Sequence, residues 1–289
     1  SDPGDAATLD ESAFTRLRGR GESINRWTGA AAMVAGGVLY AVDPRLPFLA
    51  ATGWVLVGIP VLLTLPRTGA GLDQTPVREV VEVLRAAFTS PPLRSVVAFT
   101  ALAFGALSAA QLYVQPIAVD LLSGVGALAG VTPEATLGLL YAAFTVVAAV
   151  ASYYADRVER ALGRGPTLVL LPVGVAVAML VPLALPILAL PVFFAMRSVD
   201  PILRPVTHAI LNEELGSTGR ATAISAASMV YGLVRLPLAV GGGVLADATS
   251  AITAVAAFGA VLLGCGLAIV LVESPASAVA GTDRARSER

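Results

Sequence analysis

Residues 165–196 read GPTLVLLPVGVAVAMLVPLALPILALPVFFAM, with no Asp, Glu or Arg anywhere in the run. A hydrocarbon core about 30 Å thick is crossed by about 20 apolar residues in helical form. As a single helix this run would extend about 48 Å, well beyond one bilayer. Pro182, Pro186 and Pro191 interrupt it, and proline inside a helix removes a hydrogen bond and clashes with the preceding turn. The run therefore reads as a hairpin turning near Ala184, with one span from Pro166 to Leu183 and the next from about Leu185 to Pro205. The second span then carries Arg197 and Asp200 inside the membrane.

Outward from this run the pattern repeats. Residues 27–42, 46–66, 95–119, 135–155 and 248–272 are free of Asp, Glu and Arg, and residues 221–246 hold only Arg235. Residues 121–133 are also uncharged, but Gly124, Gly126, Gly130 and Pro133 make them read as a loop. The whole composition agrees. Of 289 residues, 56% are hydrophobic and 13% charged, about half the charge of a soluble domain. That is too little to coat a water-facing globule, so the chain reads as an all-α integral membrane protein whose first partner is the lipid bilayer. A net charge of −1 gives no basic field for nucleic acid. One cysteine, Cys265, and one histidine, His208, leave no disulfide framework and no His- or Cys-rich metal site. No metal or cofactor is expected.

All 19 cationic residues are arginine, a bias pointing to a GC-rich or salt-adapted prokaryote. Arginines near span ends collect on the cytoplasmic side. With eight spans, Arg16, Arg18, Arg20, Arg26, Arg67, Arg78, Arg85, Arg94, Arg157, Arg160, Arg164, Arg204, Arg220, Arg284, Arg286 and Arg289 share one side, and only Arg45 falls on the other. The one-helix alternative for 165–196 would move the tail cluster across the membrane and spoil this asymmetry. Both ends of the chain are therefore expected in the cytoplasm of a multi-pass cell-membrane protein. The organisation is a cytoplasmic segment 1–27, two transmembrane helices in 28–66, a cytoplasmic linker 67–94, a six-helix bundle 95–272 and a disordered cytoplasmic tail 273–289. Outer loops fall at 43–46, 120–133, around 184 and at 247–250. Within the linker, residues 73–89 alternate charges with Val77, Val80, Val81, Leu84 and Phe88 at helical spacing, the pattern of an amphipathic surface helix.

Two stretches carry a family resemblance. Ala155-Asp156-Arg157-Val158-Glu159-Arg160-Ala161-Leu162-Gly163-Arg164 resembles the short basic loop motif of the major facilitator superfamily. Residues 220–225, reading RATAIS, and 241–247, reading GGGVLAD, open and close a span that is similar to the eleventh of that superfamily, and Asn212 suits the loop before it. The resemblance implies that residues 28–272 correspond to spans five to twelve of a twelve-span, drug-efflux-like transporter. Residues 67–94 would link the two halves. The chain opens at Ser1 without a methionine or signal peptide, which reads as an interior cut, so the first four helices of the same polypeptide are an implied partner. The resemblance further implies that Asp156, Arg157, Arg160, Gly163 and Arg164 form a cytoplasmic latch against the start of the fifth span, near Arg26–Gly29.

Other polar groups inside spans are candidates for a substrate cavity or for coupling. Arg197, Asp200 and Arg204 stand at i, i+3 and i+7 on one helical face. A charge at the bilayer centre costs about 2.5–3.5 kcal/mol on insertion scales, so these groups should be compensated. Arg204 can snorkel to the cytoplasmic boundary, Asp200 can pair with Arg197, and Arg235, mid-span without an acidic neighbour on its own helix, is a second possible partner of Asp200. A structural ion pair between helices is the competing explanation. Gln111 and Gln115 share a face at i, i+4 in the span that lines the central cavity in the family, with interhelical hydrogen bonding as the alternative. Tyr231, Ser225 and Ser228 are weaker candidates. Asp120, Asp247 and His208 read as boundary groups.

These features converge on a secondary active transporter moving a small molecule by alternating access, with H⁺ coupling and efflux of an amphipathic compound implied by the family. A truncated or degenerate, non-transporting membrane subunit is the alternative, discriminated by whether four further spans precede Ser1. A membrane-embedded enzyme is third. The chain has no HExxH, no GxSxG and no aspartate-rich diphosphate motif, and no catalytic residue is nominated.

Overall fold

The computed structural model describes residues 28–29, 31–64, 85, 91–128, 133–215, 220–273 and 275. Among the described residues the elements are helical, with no strand. In chain order they are α1 (Ala31–Val42), α2 (Leu46–Thr64), α3 (Pro91–Ala110), a 3₁₀ turn (Gln111–Tyr113), α4 (Val114–Leu128), α5 (Pro133–Leu162), α6 (Arg164–Ala178), two 3₁₀ turns (Val181–Leu183 and Pro186–Leu188), α7 (Ala189–Leu215), α8 (Arg220–Ala248) and α9 (Ala251–Val272). Seven helical stretches among the described residues are long and apolar enough to cross a bilayer, which fits a multi-pass membrane protein. The first of the eight expected spans is represented by α1, a shorter apolar helix. The segment 1–27, the amphipathic helix expected at 73–89 apart from Arg85, which is helical, and the expected tail apart from residues 273 and 275 lie outside the described residues.

The charge-free run 165–196 turns where its prolines stand. α6 ends at Ala178, Pro182 and Pro186 open the two 3₁₀ turns, and Leu185 between them is extended at φ −134°, ψ 83°. Each proline sits in the first turn of its element, where no amide donor is needed. Turns also form at 43–45 and 249–250, two of the places where the sequence leads us to expect loops. Asp43 accepts the Arg45 amide on its Oδ1 at 2.7 Å, and Ser250 caps α9 by accepting the Thr253 amide at 3.1 Å.

The loop expected over 120–133 is not as read. Helix α4 continues through Gly124 and Gly126 to Leu128. Glycine weakens a helix in water by about 1 kcal/mol, yet it is frequent in helices surrounded by lipid, where backbone groups have no water to turn to. Pro133 does act as punctuation, opening α5. Likewise α3 begins at Pro91 rather than at residue 95, with its two leading prolines in the first turn.

The chain divides into two compact units, residues 1–66 with 122–149, and 67–121 with 150–289. In the first, α1 crosses the early part of α5 closely. A Cβ at Gly138 would stand 2.9 Å from the Met33 carbonyl oxygen, and Thr145 Oγ1 lies 3.4 Å from Met33 Sδ. Helix α2 has no buried residue, and Trp54 is 75% exposed. An apolar helix left open on every side is matched to lipid rather than water.

The second unit is built around α3. This helix is the most buried of the seven and packs on α8, α9 and α7. Its core face is mostly small, with Ala101, Ala103, Ala106, Ala109 and Ala110 buried beside Phe99, so neighbouring backbones approach it closely. At Gly105 an added Cβ would meet Val234 Cγ1 at 2.9 Å and the Arg235 amide nitrogen at 3.3 Å. Helix α9 packs on α6 in the same manner through Gly259, where a Cβ would stand 2.6 Å from the Ala176 carbonyl oxygen. Arg94 at the start of α3 forms a salt bridge to Glu273 just past the end of α9, so those two helix ends lie together.

Candidate functional site

The α3–α8 crossing at Gly105 sets up a cleft of about 220 Å³ between α3, α7 and α8, wholly within the second unit. Its floor is apolar and buried, made by Phe104, Leu107, Met196 and Tyr231. The Phe104 and Tyr231 rings pack tilted with centroids 5.0 Å apart, and Thr100 Oγ1 donates weakly to the Tyr231 hydroxyl at 3.4 Å. The rim is polar, made by Ser108, Gln111, Asp200, Arg204, Ser228, Gly232 and Arg235. Phe104 and Gln111 lie ten and seventeen residues beyond Arg94, about 15 and 26 Å along the helix axis from that end. The cleft thus opens along the middle of the long helices and not at their tips.

Its ordering element is an ion pair within α7. Arg204 Nη2 donates to Asp200 Oδ1 at 2.7 Å and Arg204 Nε to Asp200 Oδ2 at 3.3 Å, a two-pronged contact. The same guanidinium sits 5.1 Å from the centre of the Phe104 ring, a cation–π contact that ties α7 to α3. This corrects the expected pairing. Asp200 binds Arg204, not Arg197 or Arg235. An acid four residues before its base on a helix is the favoured orientation, and that spacing was the signal available for it. Arg197 is half-buried on α7 and does not line the cleft. Arg235 is exposed at the rim, and its side chain has no hydrogen bond or ion pair among the described residues.

Gln111 and Gln115 are not brought together. Gln111 lines the cleft, whereas Gln115 is exposed elsewhere. The cause is the 3₁₀ turn at Gln111–Tyr113. Each 3₁₀ residue advances about 120° instead of 100°, so two residues four apart across it lose the shared face. Of the weaker candidates, Tyr231 and Ser228 line the cleft and Ser225 does not. Phe104, Leu107, Ser108, Met196 and Gly232 were not singled out by sequence. Apolar and small residues in a chain so rich in both carry no distinguishing mark. Among the described residues no group of three or more His, Cys, Asp or Glu side chains is placed to hold a metal ion.

The residues expected to form a latch occupy the end of α5 and its joint to α6. Asp156, Arg157 and Arg160 belong to the last turns of the helix, and the only residue between α5 and α6 is Gly163, at φ 84° and ψ 158°. Only glycine adopts that region readily. Its carbonyl accepts from the Thr167 amide at 3.0 Å and the Thr167 hydroxyl at 2.7 Å. Arg164 Nε donates to Glu159 Oε1 across the joint at 2.8 Å, Arg160 Nε donates to the Asp156 carbonyl at 3.1 Å, and Arg157 stands 5.5 Å from the Tyr154 ring centre. The joint is therefore braced internally. Arg26 and Trp27, part of the implied docking segment, lie outside the described residues.

Comparison of the chain with protein-family models, with curated proteins and with solved structures finds no match.

Proposed function

We propose that this chain is the larger part of a secondary active transporter of the major-facilitator type, moving a small molecule by alternating access. The observation that carries the proposal is the charged cleft at the middle of an otherwise apolar-surfaced helix bundle. Ionisable groups at that depth are costly and are kept where they face a substrate or ion path, and transporters of this architecture bind near the midplane between two helical halves. At about 220 Å³ the cleft is smaller than the roughly 300–1,000 Å³ typical of a complete small-molecule site. That size suits one wall of a cavity whose other wall comes from the first half, so four further spans of the same polypeptide belong to the proposal. So do eight spans in this chain, both its ends in the cytoplasm, and the Gly163 joint as part of a latch on the inner face. The charge asymmetry of the arginines supports that orientation, and the motif from Ala155 to Arg164 supports the latch.

The test is flux into proteoliposomes holding the complete protein, across a compound panel, with and without a pH gradient. Saturable uptake is expected, responding to the gradient, and Asp200→Asn should abolish it while membrane insertion is unchanged. Flux undiminished in Asp200→Asn would remove the cleft from the transport path, and absence of saturable flux for every compound would reject the transporter.

A further inference from the structure

We propose, resting on the transporter reading, that the cleft selects organic anions, with Arg235 as the group that holds the negative charge. The charge count of the cleft is unbalanced. Asp200, Arg204 and Arg235 are its ionisable groups other than tyrosine, and the first two neutralise each other through the two-pronged pair. Arg235 is left with no acidic partner among the described residues, near the centre of α8. An arginine does not shed its proton in proteins, so this site cannot relieve its charge as a lysine or histidine would. An isolated guanidinium at that depth is costly, and a ligand bearing a carboxylate or phosphate removes the cost on arrival. Its position is also fixed. The α3 backbone at Gly105 closes on the Arg235 amide, holding that turn of α8 against the helix that supplies Ser108 to the rim.

The rest of the cleft defines the remainder of the ligand. The Phe104 and Tyr231 rings form an apolar floor suited to a flat or aromatic body. A cation is disfavoured, because Asp200 is already engaged and binding a second positive charge would require breaking its pair with Arg204. The occupant is thus a small amphipathic anion, with its acid group at Arg235 and its ring against Phe104.

The experiment uses three dansyl probes that share one ring system and differ in their heads. These are dansylglycine as the anion, dansylamide as the neutral form and dansyl-ethylenediamine as the cation. Each is titrated by fluorescence against the complete protein in nanodiscs, with empty nanodiscs as background, and then tested for flux in proteoliposomes. Dansylglycine should bind saturably and at least about tenfold more tightly than the other two. Arg235→Gln should lose that advantage, and Arg235→Lys should keep part of it. Equal or tighter binding of the neutral or cationic probe overturns the inference, as does saturable binding by none of them or unchanged dansylglycine binding in a folded Arg235→Gln protein. If Arg235→Gln does not fold, the ranking of the three probes on the unaltered protein decides. Dansylglycine binding without flux would sustain the anion site and count against transport, whereas saturable flux of the cation alone would overturn the anion site and leave transport standing.

Discussion

Gly259 and Gly264 lie five residues apart on α9 and differ in everything but identity. A methyl on Gly259 would press on the Ala176 carbonyl oxygen at 2.6 Å and on Met179 Cβ at 2.9 Å, whereas one on Gly264 meets nothing within 4 Å. The first obstacle is backbone and cannot swing aside. Gly259→Ala should therefore cost about 1–3 kcal/mol, the usual penalty of overpacking. Gly264→Ala should be neutral or slightly stabilising, because alanine is the better helix former. Thermal unfolding in detergent checks this pair, and equal midpoints for the two variants would show that α6 and α9 do not meet as described. From the sequence alone the two glycines are indistinguishable. Spacing can announce close packing somewhere on α9, but which glycine carries it depends on the rotation of α9 against α6.

At the scale of elements, the hairpin at Ala184 was legible because two constraints agree there: the run is too long for one crossing, and Pro182 and Pro186 flank the point where the helix stops. The 3₁₀ turn at Gln111–Tyr113 was not legible. No residue type in it forbids an α-helix, and so small a change in winding is enough to send Gln115 out of the cleft. The loop expected near 121–133 failed for a different reason, since glycine punctuates chains in water more sharply than in lipid. The Asp200–Arg204 pair lies between these cases. Its spacing was visible, but a second arginine, Arg197, competed on the same face. The pair is close to half exposed, with side-chain accessibilities of 44% and 46%, so its coupling is modest. A double-mutant cycle of Asp200→Asn and Arg204→Gln should return about 0.5–1 kcal/mol of interaction in unfolding measurements. Zero coupling would mean that the two side chains do not meet.

For the molecule as a whole, the broad architecture was written in the composition, and the cleft was not. Charge-free runs foretold a multi-span helical chain, and the described helices fit it. The cleft needed three helices brought into register, and its floor is made of residue types found throughout the chain. Leu162 and Ala184 stand at opposite ends of α6 and the turn that follows it, so a chain that passes back and forth through the lipid holds them on opposite sides. The most direct test starts from a Cys265→Ser background of the complete protein and places single cysteines by Leu162→Cys, Ala184→Cys and Thr249→Cys. These are labelled in intact cells with a membrane-impermeant maleimide. Positions 184 and 249 should label from outside and position 162 only after permeabilisation, whereas labelling of positions 162 and 184 from the same compartment would contradict the account.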